Sequence, residues 1–397
     1  MTTGPSREVR LGDLVSASRG VSYKGVDVDV EVAESELLSI TAIVPGGGLD
    51  VAGLRSYAGP FGEAHCCAPG DIVIALTDLT QTGKMLGSPA RSPARRGSVI
   101  AAHHVARVHS IAPEVDPSWL YWRLHGLDWL QWAASTATGT TIRQIAAQTL
   151  HDWRVILPAL QEQGRVARAL DVFDRAIEVS RTACLAVDRV VRNVVQKAEM
   201  EACDASPLRV PLGELVELAG SPVQPGRSPE QVFSHFSIPA FDQGGGPTHD
   251  RGVAIRSGKL SLGGPVVLVS KLNPHRWWRV WDVDPAREAH PAVCSTEFVP
   301  LRAVAVPHSV LVGLLRWSPD LRGQALACAT GTTTSRQRFR PDDLLRCTVS
   351  ARAVRGLDDL DSRLAPLVSL ERDLHAQQIA LERTRDLILP ALLQGVL

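Results

Sequence analysis

Two long stretches of the chain place apolar residues at helical intervals. From Val166, the positions Leu170, Phe173, Ile177, Ser180, Cys184, Val187, Val191, Val194 and Ala198 follow at alternating steps of four and three. That heptad spacing lines one face of an α-helix. A second run has Leu360, Leu367, Leu374, Leu381 and Ile388 at strict sevens, with Leu357, Leu364 and Leu392 on a companion position and Glu371, Gln378 and Arg385 interrupting it. At 1.5 Å per residue, about 40 residues make a rod of about 60 Å. A lone helix of this kind leaves its stripe in water, so the two seams are expected to pack on each other within the chain, antiparallel. The alternative is that each packs only on its own neighbouring module. The second helix is expected to end near Pro390, which can start a final separate turn.

Elsewhere the pattern is that of strands. Asp71-Ile72-Val73-Ile74-Ala75-Leu76 follows a Pro69-Gly70 turn, and Pro265-Val266-Val267-Leu268-Val269-Ser270 has the same character. Both read as central strands of mixed, strand-rich modules.

The modules look like one unit used twice. Val9-Arg10-Leu11-Gly12-Asp13-Leu14-Val15 recurs as Val210-Pro211-Leu212-Gly213-Glu214-Leu215-Val216, and Ala137-Thr138-Gly139-Thr140-Thr141 recurs as Ala329-Thr330-Gly331-Thr332-Thr333. The order is the same in both halves, as in an internal duplication. The expected fold is therefore α+β, with two duplicated modules joined by an antiparallel intramolecular coiled coil. The expected boundaries are 1–157 and 202–356 for the modules, and 158–201 and 357–397 for the helices.

A chain of 397 residues that is 45% hydrophobic and 21% charged exceeds one ordinary core and excludes intrinsic disorder. No run approaches the roughly 20 apolar residues of a membrane helix, and the N-terminal residues lack an apolar signal core. A cytoplasmic location is expected. The seven cysteines include no C-x-x-C pair and read as reduced thiols, mostly buried.

Lysine plus arginine equal aspartate plus glutamate at 42 each, which at first argues against a nucleic-acid partner. The distribution points the other way. No acid falls between Asp78 and Glu114, a window holding Lys84, Arg91, Arg95, Arg96, Arg107, His103, His104 and His109. None falls between Asp250 and Asp282, which enclose Arg251, Arg256, Lys259, Lys271, His275, Arg276 and Arg279. Shorter acid-free windows hold Arg143 and, later, Arg322, Arg336, Arg338 and Arg340.

Catalytic signatures are absent. Gly83-Lys84 is followed by Met85 rather than by the Ser or Thr of a phosphate-binding loop, and no G-x-G-x-x-G, acid-x-lysine nuclease motif or [ND]-P-P-[YFW] loop occurs. His65-Cys66-Cys67 lacks the second cluster that a closed zinc site needs. The chemistry is that of a binder. Two readings of the duplicated Gly-Thr-Thr stand side by side. In one, Thr140, Thr141 and Arg143, and Thr332, Thr333 and Arg336, offer hydroxyls and charge to DNA phosphates. In the other they form a turn or helix cap. Lys271, Asn273 and Arg276 have the donors and acceptors to read base edges. Trp277, Trp278 and Trp281 either stack on bases or belong to a core.

The duplication, the two long helices and particular wording resemble the specificity (S) subunits of type I restriction-modification systems. The likeness is carried by Val9-Arg10-Leu11-Gly12-Asp13-Leu14 followed by Arg19-Gly20, by Gly139-Thr140-Thr141, by Leu157-Pro158-Ala159-Leu160-Gln161-Glu162-Gln163 leading into the first helix, and by Leu392-Leu393-Gln394-Gly395 near the end. The lead into the second helix, Ser350 to Leu357, departs from that proline-glutamate-glutamine wording. The resemblance implies a non-catalytic subunit in which each module is a target recognition domain reading one half of a bipartite double-stranded DNA site. It implies that the paired helices set the spacing and dock two methyltransferase (M) subunits, with or without restriction (R) subunits. S-adenosylmethionine, ATP and magnesium would then belong to those partners. A duplicated coiled-coil scaffold that binds only proteins is the competing reading.

Overall fold

The computed structural model describes residues 6–79, 83–203, 208–244, 246–276, 278–331, 337–350 and 357–395. The chain divides into two compact units, Met1–Arg175 with Glu382–Leu397, and Ala176–Leu381.

In unit 1 the strands, in chain order, are β1 (Arg7–Arg10), β2 (Val15–Arg19), β3 (Ser35–Leu38), β4 (Arg55–Tyr57), β5 (Cys66–Cys67), β6 (Ile72–Ala75), β7 (Thr77–Asp78), β8 (Pro89–Arg91), β9 (Ser98–Ala101), β10 (Val105–Ile111), β11 (Arg143–Gln144) and β12 (Arg154–Leu157). β2, β10, β6 and β8 make an antiparallel sheet in that order. A second sheet, β4-β3-β9-β5, contains a parallel β3–β9 pair. β6 is central, as its continuous apolar run predicts, because both its faces are covered. Ile72 and Ile74 join the core under the helices, while Val73 and Ala75 join the core shared with Leu38, Val99 and Ala101 of the second sheet. This period-two division explains why no polar residue interrupts the strand.

Helices α1 (Pro117–Arg123) and α2 (Leu127–Thr136) cover the outer face. Asp116 starts α1 by accepting the backbone N–H groups of Ser118 and Trp119 at 2.8 and 3.1 Å, with Pro117 at the first turn. Trp119, Trp122 and Trp129 are fully buried there. Antiparallel pairing of β1 with β12 brings the two ends of the module together.

The first long helix, α3, runs Leu160–Cys203 and the last, α6, runs Leu357–Leu393. Every residue of the expected α3 seam is buried or half-buried. Within unit 1, Val166 and Leu170 share a core with Ile388, Leu389, Leu392 and Leu393, and Arg385 lies 3.5 Å from Asp174. Within unit 2, Cys184 Sγ approaches the Glu371 carbonyl at 4.0 Å, and a Cβ on Gly313 would touch both Val195 and Leu364. As α3 advances there, its neighbours on α6 fall to lower numbers, so the pairing is antiparallel. Two of the three polar residues that interrupt the α6 seam are used for ion pairs: Glu371 with Arg316 at 2.7 Å and Arg385 with Asp174.

One expectation is corrected. α6 does not stop near Pro390 but continues to Leu393, with Gln394 N–H reaching the Pro390 carbonyl at 3.1 Å. The carbonyl that Pro390 leaves without a helical donor is that of Asp386, an exposed residue, where water can serve as the partner.

Unit 2 repeats the plan with β13 (Arg209–Pro211), β14 (Val216–Leu218), β15 (Ser221–Val223), β16 (Val232–Phe236), β17 (Thr248–Arg251), β18 (Lys259–Ser261), β19 (Val266–Ser270), β20 (Val280–Val283), β21 (Ala292–Ser295), β22 (Phe298–Ala303) and β23 (Thr348–Ser350). Helices α4 (His308–Trp317) and α5 (Pro319–Ala327) follow β22. The order β14-β22-β19-β20 matches β2-β10-β6-β8 strand for strand. The second sheet, β15-β18-β21-β16-β17, again holds one parallel pair, β16–β21, and gains β15 at its edge. In the central β19, Val267 and Val269 face the helices and Val266 and Leu268 face the second sheet. The duplication is thus one of topology and burial, not of wording alone.

Candidate nucleic-acid interface

In unit 1 the duplicated Gly139-Thr140-Thr141 forms the tip of a hairpin. Thr138 and Gln144 close it with reciprocal backbone bonds of 2.9 Å. Gly139 has φ +98°, and a Cβ there would lie 2.1 Å from the Ile142 carbonyl oxygen, so the turn requires glycine. Thr140 and Thr141 are exposed on this tip. β11 pairs with β7, which sets the tip beside the loop that follows the central strand. That loop carries Lys84, also exposed. Its neighbour Gly83 has φ +72°, a left-handed backbone that favours glycine, and lies against the Arg143 guanidinium. The loop is held from below: Asp78, fully buried, accepts the Met85 N–H at 3.1 Å, and the Trp129 indole donates to the Gly87 carbonyl at 2.8 Å. Arg143 is half-buried and donates to the Ala134 carbonyl, so it braces the tip.

Unit 2 builds the same arrangement. Thr330 and Arg338 close the second hairpin with bonds of 2.9 and 2.8 Å. Thr138 and Thr330 start the two tips, but Gln144 and Arg338 end them, so the second tip is two residues longer. Thr332, Thr333 and Arg336 lie outside the described residues. The tip is again tied to the loop after the central strand. Asn273 donates its N–H to the Gln337 carbonyl at 2.8 Å and accepts the Gln337 N–H on Oδ1 at 3.1 Å. Arg276, whose N–H bonds the Asn273 carbonyl at 3.1 Å, is exposed, and Lys271 is half-buried.

The remaining sequence-derived candidates stand elsewhere. Arg91, on β8, is 3.1 Å from Asp171 of α3 and lies 4.0 Å over the Tyr121 ring. Arg95 pairs with Glu36 at 2.8 Å, and Arg96 is exposed in the connection from β8 to β9.

Several basic residues of the acid-free windows pair with acids from other parts of the chain. Arg107 pairs with Asp71, Arg251 with Glu230, Arg338 with Glu297, and the buried Arg279 makes two bonds of 2.6 and 2.7 Å to Asp242. Burial holds the imidazoles of His103 and His104 below the usual histidine range, and the neighbouring positive charge of Arg19 adds to this, so neither carries charge at neutral pH. Burial likewise lowers the Lys259 ammonium, which is held by the Ser257 hydroxyl at 2.6 Å. Trp281 is core, edge-on to Phe236 and Phe241, and Trp278 donates its indole N–H to the Leu315 carbonyl at 2.8 Å. Trp277 lies outside the described residues.

Sequence alone does not single out Asp78, Asp171, Asp282 and Arg372, whose importance depends on partners 80 or more residues away or on a fold-dependent turn. Among the described residues no group of histidine, cysteine and carboxylate side chains is arranged to hold a metal ion, and no helix is long and apolar enough to cross a membrane.

No protein-family model matches the chain, and no curated protein matches it in sequence. Solved structures do. The type I restriction-modification system S subunit from M. genitalium superposes with a TM-score of 0.59 at 12% identity, covering 98% of this chain and 96% of that one. The HsdS subunit from Thermoanaerobacter tengcongensis matches over 99% and 97% of the two chains at 16% identity and a TM-score of 0.35. A chain from a study of assembly and conformational transition of the type I R-M system matches over 100% of both at 17% identity and a TM-score of 0.39. From its first module to its last helix, this chain has the fold of a type I restriction-modification S subunit.

Proposed function

We propose that the chain is the DNA sequence-recognition subunit of a type I restriction-modification complex. Each module reads one half of a bipartite site, and the paired long helices set the half-site spacing and dock two methyltransferase subunits. The observation that carries this reading is the likeness to the M. genitalium S subunit through 98% of the chain, both modules and both helices included. The repeated geometry supports it. In each unit a main-chain-closed turn is tied to the loop after the central strand, with the exposed Lys84, Thr140 and Thr141 at the first and Lys271, Asn273 and Arg276 beside the second. Arg143 braces the first tip, whereas Arg91 ties its strand to α3 and Arg95 and Arg96 stand away from the tip.

The docking role has its own support. Besides the seam it shares with α6, α3 carries a second heptad stripe, Ala176, Val179, Ala183, Ala186 and Val190, at steps of three and four. Val179 and Val190 are 69% and 46% exposed. Small and β-branched residues in that spacing suit a partner helix. The chain itself is assigned no catalytic step; S-adenosylmethionine, ATP and magnesium are assigned to the partners.

The ion pairs inside these windows favour a second reading, a scaffold that binds proteins only. Gel-shift titration of the chain with a methyltransferase partner, across salt concentrations, separates the two. DNA recognition predicts that Lys84→Ala weakens binding and lowers the salt slope by about 0.9. It also predicts that a heptad inserted after Ile177 changes the preferred gap between half-sites. Absence of any sequence-selective shift with the partner present defeats it.

A further inference from the structure

The strand registers define which residues correspond between the two modules. Val15 and Val216 occupy the same place in the repeated heptapeptide, and they pair with Ile111 of β10 and Ala303 of β22. Following those strands through their pairing with β6 and β19 makes Ala75 the counterpart of Ser270 and Ile72 the counterpart of Val267. On the outer strand, Arg91 sits opposite Ile72 and Asp282 sits opposite Val267. Arg91 and Asp282 therefore occupy the same rung of the same strand, with opposite charge.

Each uses that rung to hold a long helix. Arg91 Nη1 lies 3.1 Å from Asp171 of α3, whose Oδ1 also accepts the Trp122 indole N–H at 2.8 Å. Asp282 Oδ2 accepts two bonds from Arg372 of α6, at 2.6 and 3.1 Å, and its other oxygen is 2.7 Å from His308 Nε2. Both anchors are substantially shielded: side-chain exposure is 27% and 22% for Arg91 and Asp171, and 24% and 5% for Arg372 and Asp282. Where water screens little, an inverted partner leaves two like charges facing each other.

We propose that this inversion is an address. The first module is complementary to the helix that presents a carboxylate and the second to the helix that presents an arginine, so the modules are not interchangeable on the helical pair. The device concerns assembly of the chain and holds whatever the modules bind.

The test uses the full chain, read by thermal unfolding and gel filtration. Charge reversals Arg91→Glu and Arg372→Glu lower the unfolding midpoint more than the neutral Arg91→Gln and Arg372→Gln. The exchanged pairs R91E/D171R and D282R/R372E recover at least half of the loss, because each restores complementarity in inverted form. Reversing only the module side of both anchors (R91E/D282R) gives the largest loss and a shift towards aggregates, and the four-fold inversion regains the elution volume of the unaltered chain. Exchanged pairs whose losses simply add, or reversals no worse than their neutral counterparts, overturn the proposal. Because the readouts are folding and assembly, failure here is distinct from a failure to bind DNA.

Discussion

Asn273 and Gln337 are joined by a two-way clasp, the Asn273 N–H on the Gln337 carbonyl at 2.8 Å and the Gln337 N–H on Asn273 Oδ1 at 3.1 Å. Asn273 holds it from the left-handed region, at φ +50°, which asparagine tolerates better than other residues with a Cβ. Asn273→Ala forfeits the side-chain acceptor and adds backbone strain, for a cost of about 1–3 kcal/mol, whereas Asn273→Asp keeps the acceptor and costs less. Urea unfolding of the two variants, followed by tryptophan fluorescence, measures the difference.

Gly139→Ala places a Cβ against the Ile142 carbonyl at a residue with φ +98°. The expected cost is about 1–2 kcal/mol from the backbone alone. Hydrogen exchange at Thr138 and Gln144 should speed up, since their reciprocal bonds close this turn, while the amides of β6 keep their protection.

Acid should weaken unit 1 through His125. This partly buried ring packs 4.6 Å from Tyr121 and 5.0 Å from Trp122, and its Nδ1 donates to the Tyr121 carbonyl at 2.9 Å. Burial lowers it to about 4, and the charges of Arg385 and Arg91 act in the same direction. Between the ordinary value of about 6.5 and this lowered one, the unfolded chain binds a proton that the folded chain refuses, so stability falls as pH drops through that window. The contribution is about 2 kcal/mol by pH 5. His125→Gln should flatten the slope of stability against pH between 6.5 and 5; an unchanged slope in denaturant titrations would count against this account.

Val179→Asp should leave the isolated chain within about 0.5 kcal/mol of its starting stability, because the side chain is 69% exposed. The same change should disrupt co-purification with a methyltransferase partner if the exposed stripe of α3 docks it. Retention of the complex at unchanged stoichiometry removes the stripe from that role.

Much of the scaffold was legible because it rests on local periodicity. The fours and threes of α3, the apolar runs at β6 and β19 and the repeated heptapeptide each carry their signal within a few neighbouring residues. The electrostatics were not legible. Windows without acids suggested basic faces, yet Asp71, Asp171, Asp242 and Glu36 reach into them from distant parts of the chain. Burial also removes charge from His103 and His104, which no linear count reveals. Within the candidate site, the Gly-Thr-Thr tip was visible by its duplication. The bracing by Asp78 and Asn273 was hidden, because it depends on a strand-end geometry that only the folded register creates. Pro390 misled for a related reason: a proline's cost depends on which carbonyl it orphans and whether solvent reaches it.

The unequal hairpin tips have a wider consequence. Each is fastened at its base by main-chain bonds that do not depend on side-chain identity, and the closing pairs enclose five residues in one unit and seven in the other while the sheet beneath keeps the same order. A finger mounted in this way can be lengthened or respelled without disturbing the hand that carries it, so its exposed surface is free to vary at little risk to folding.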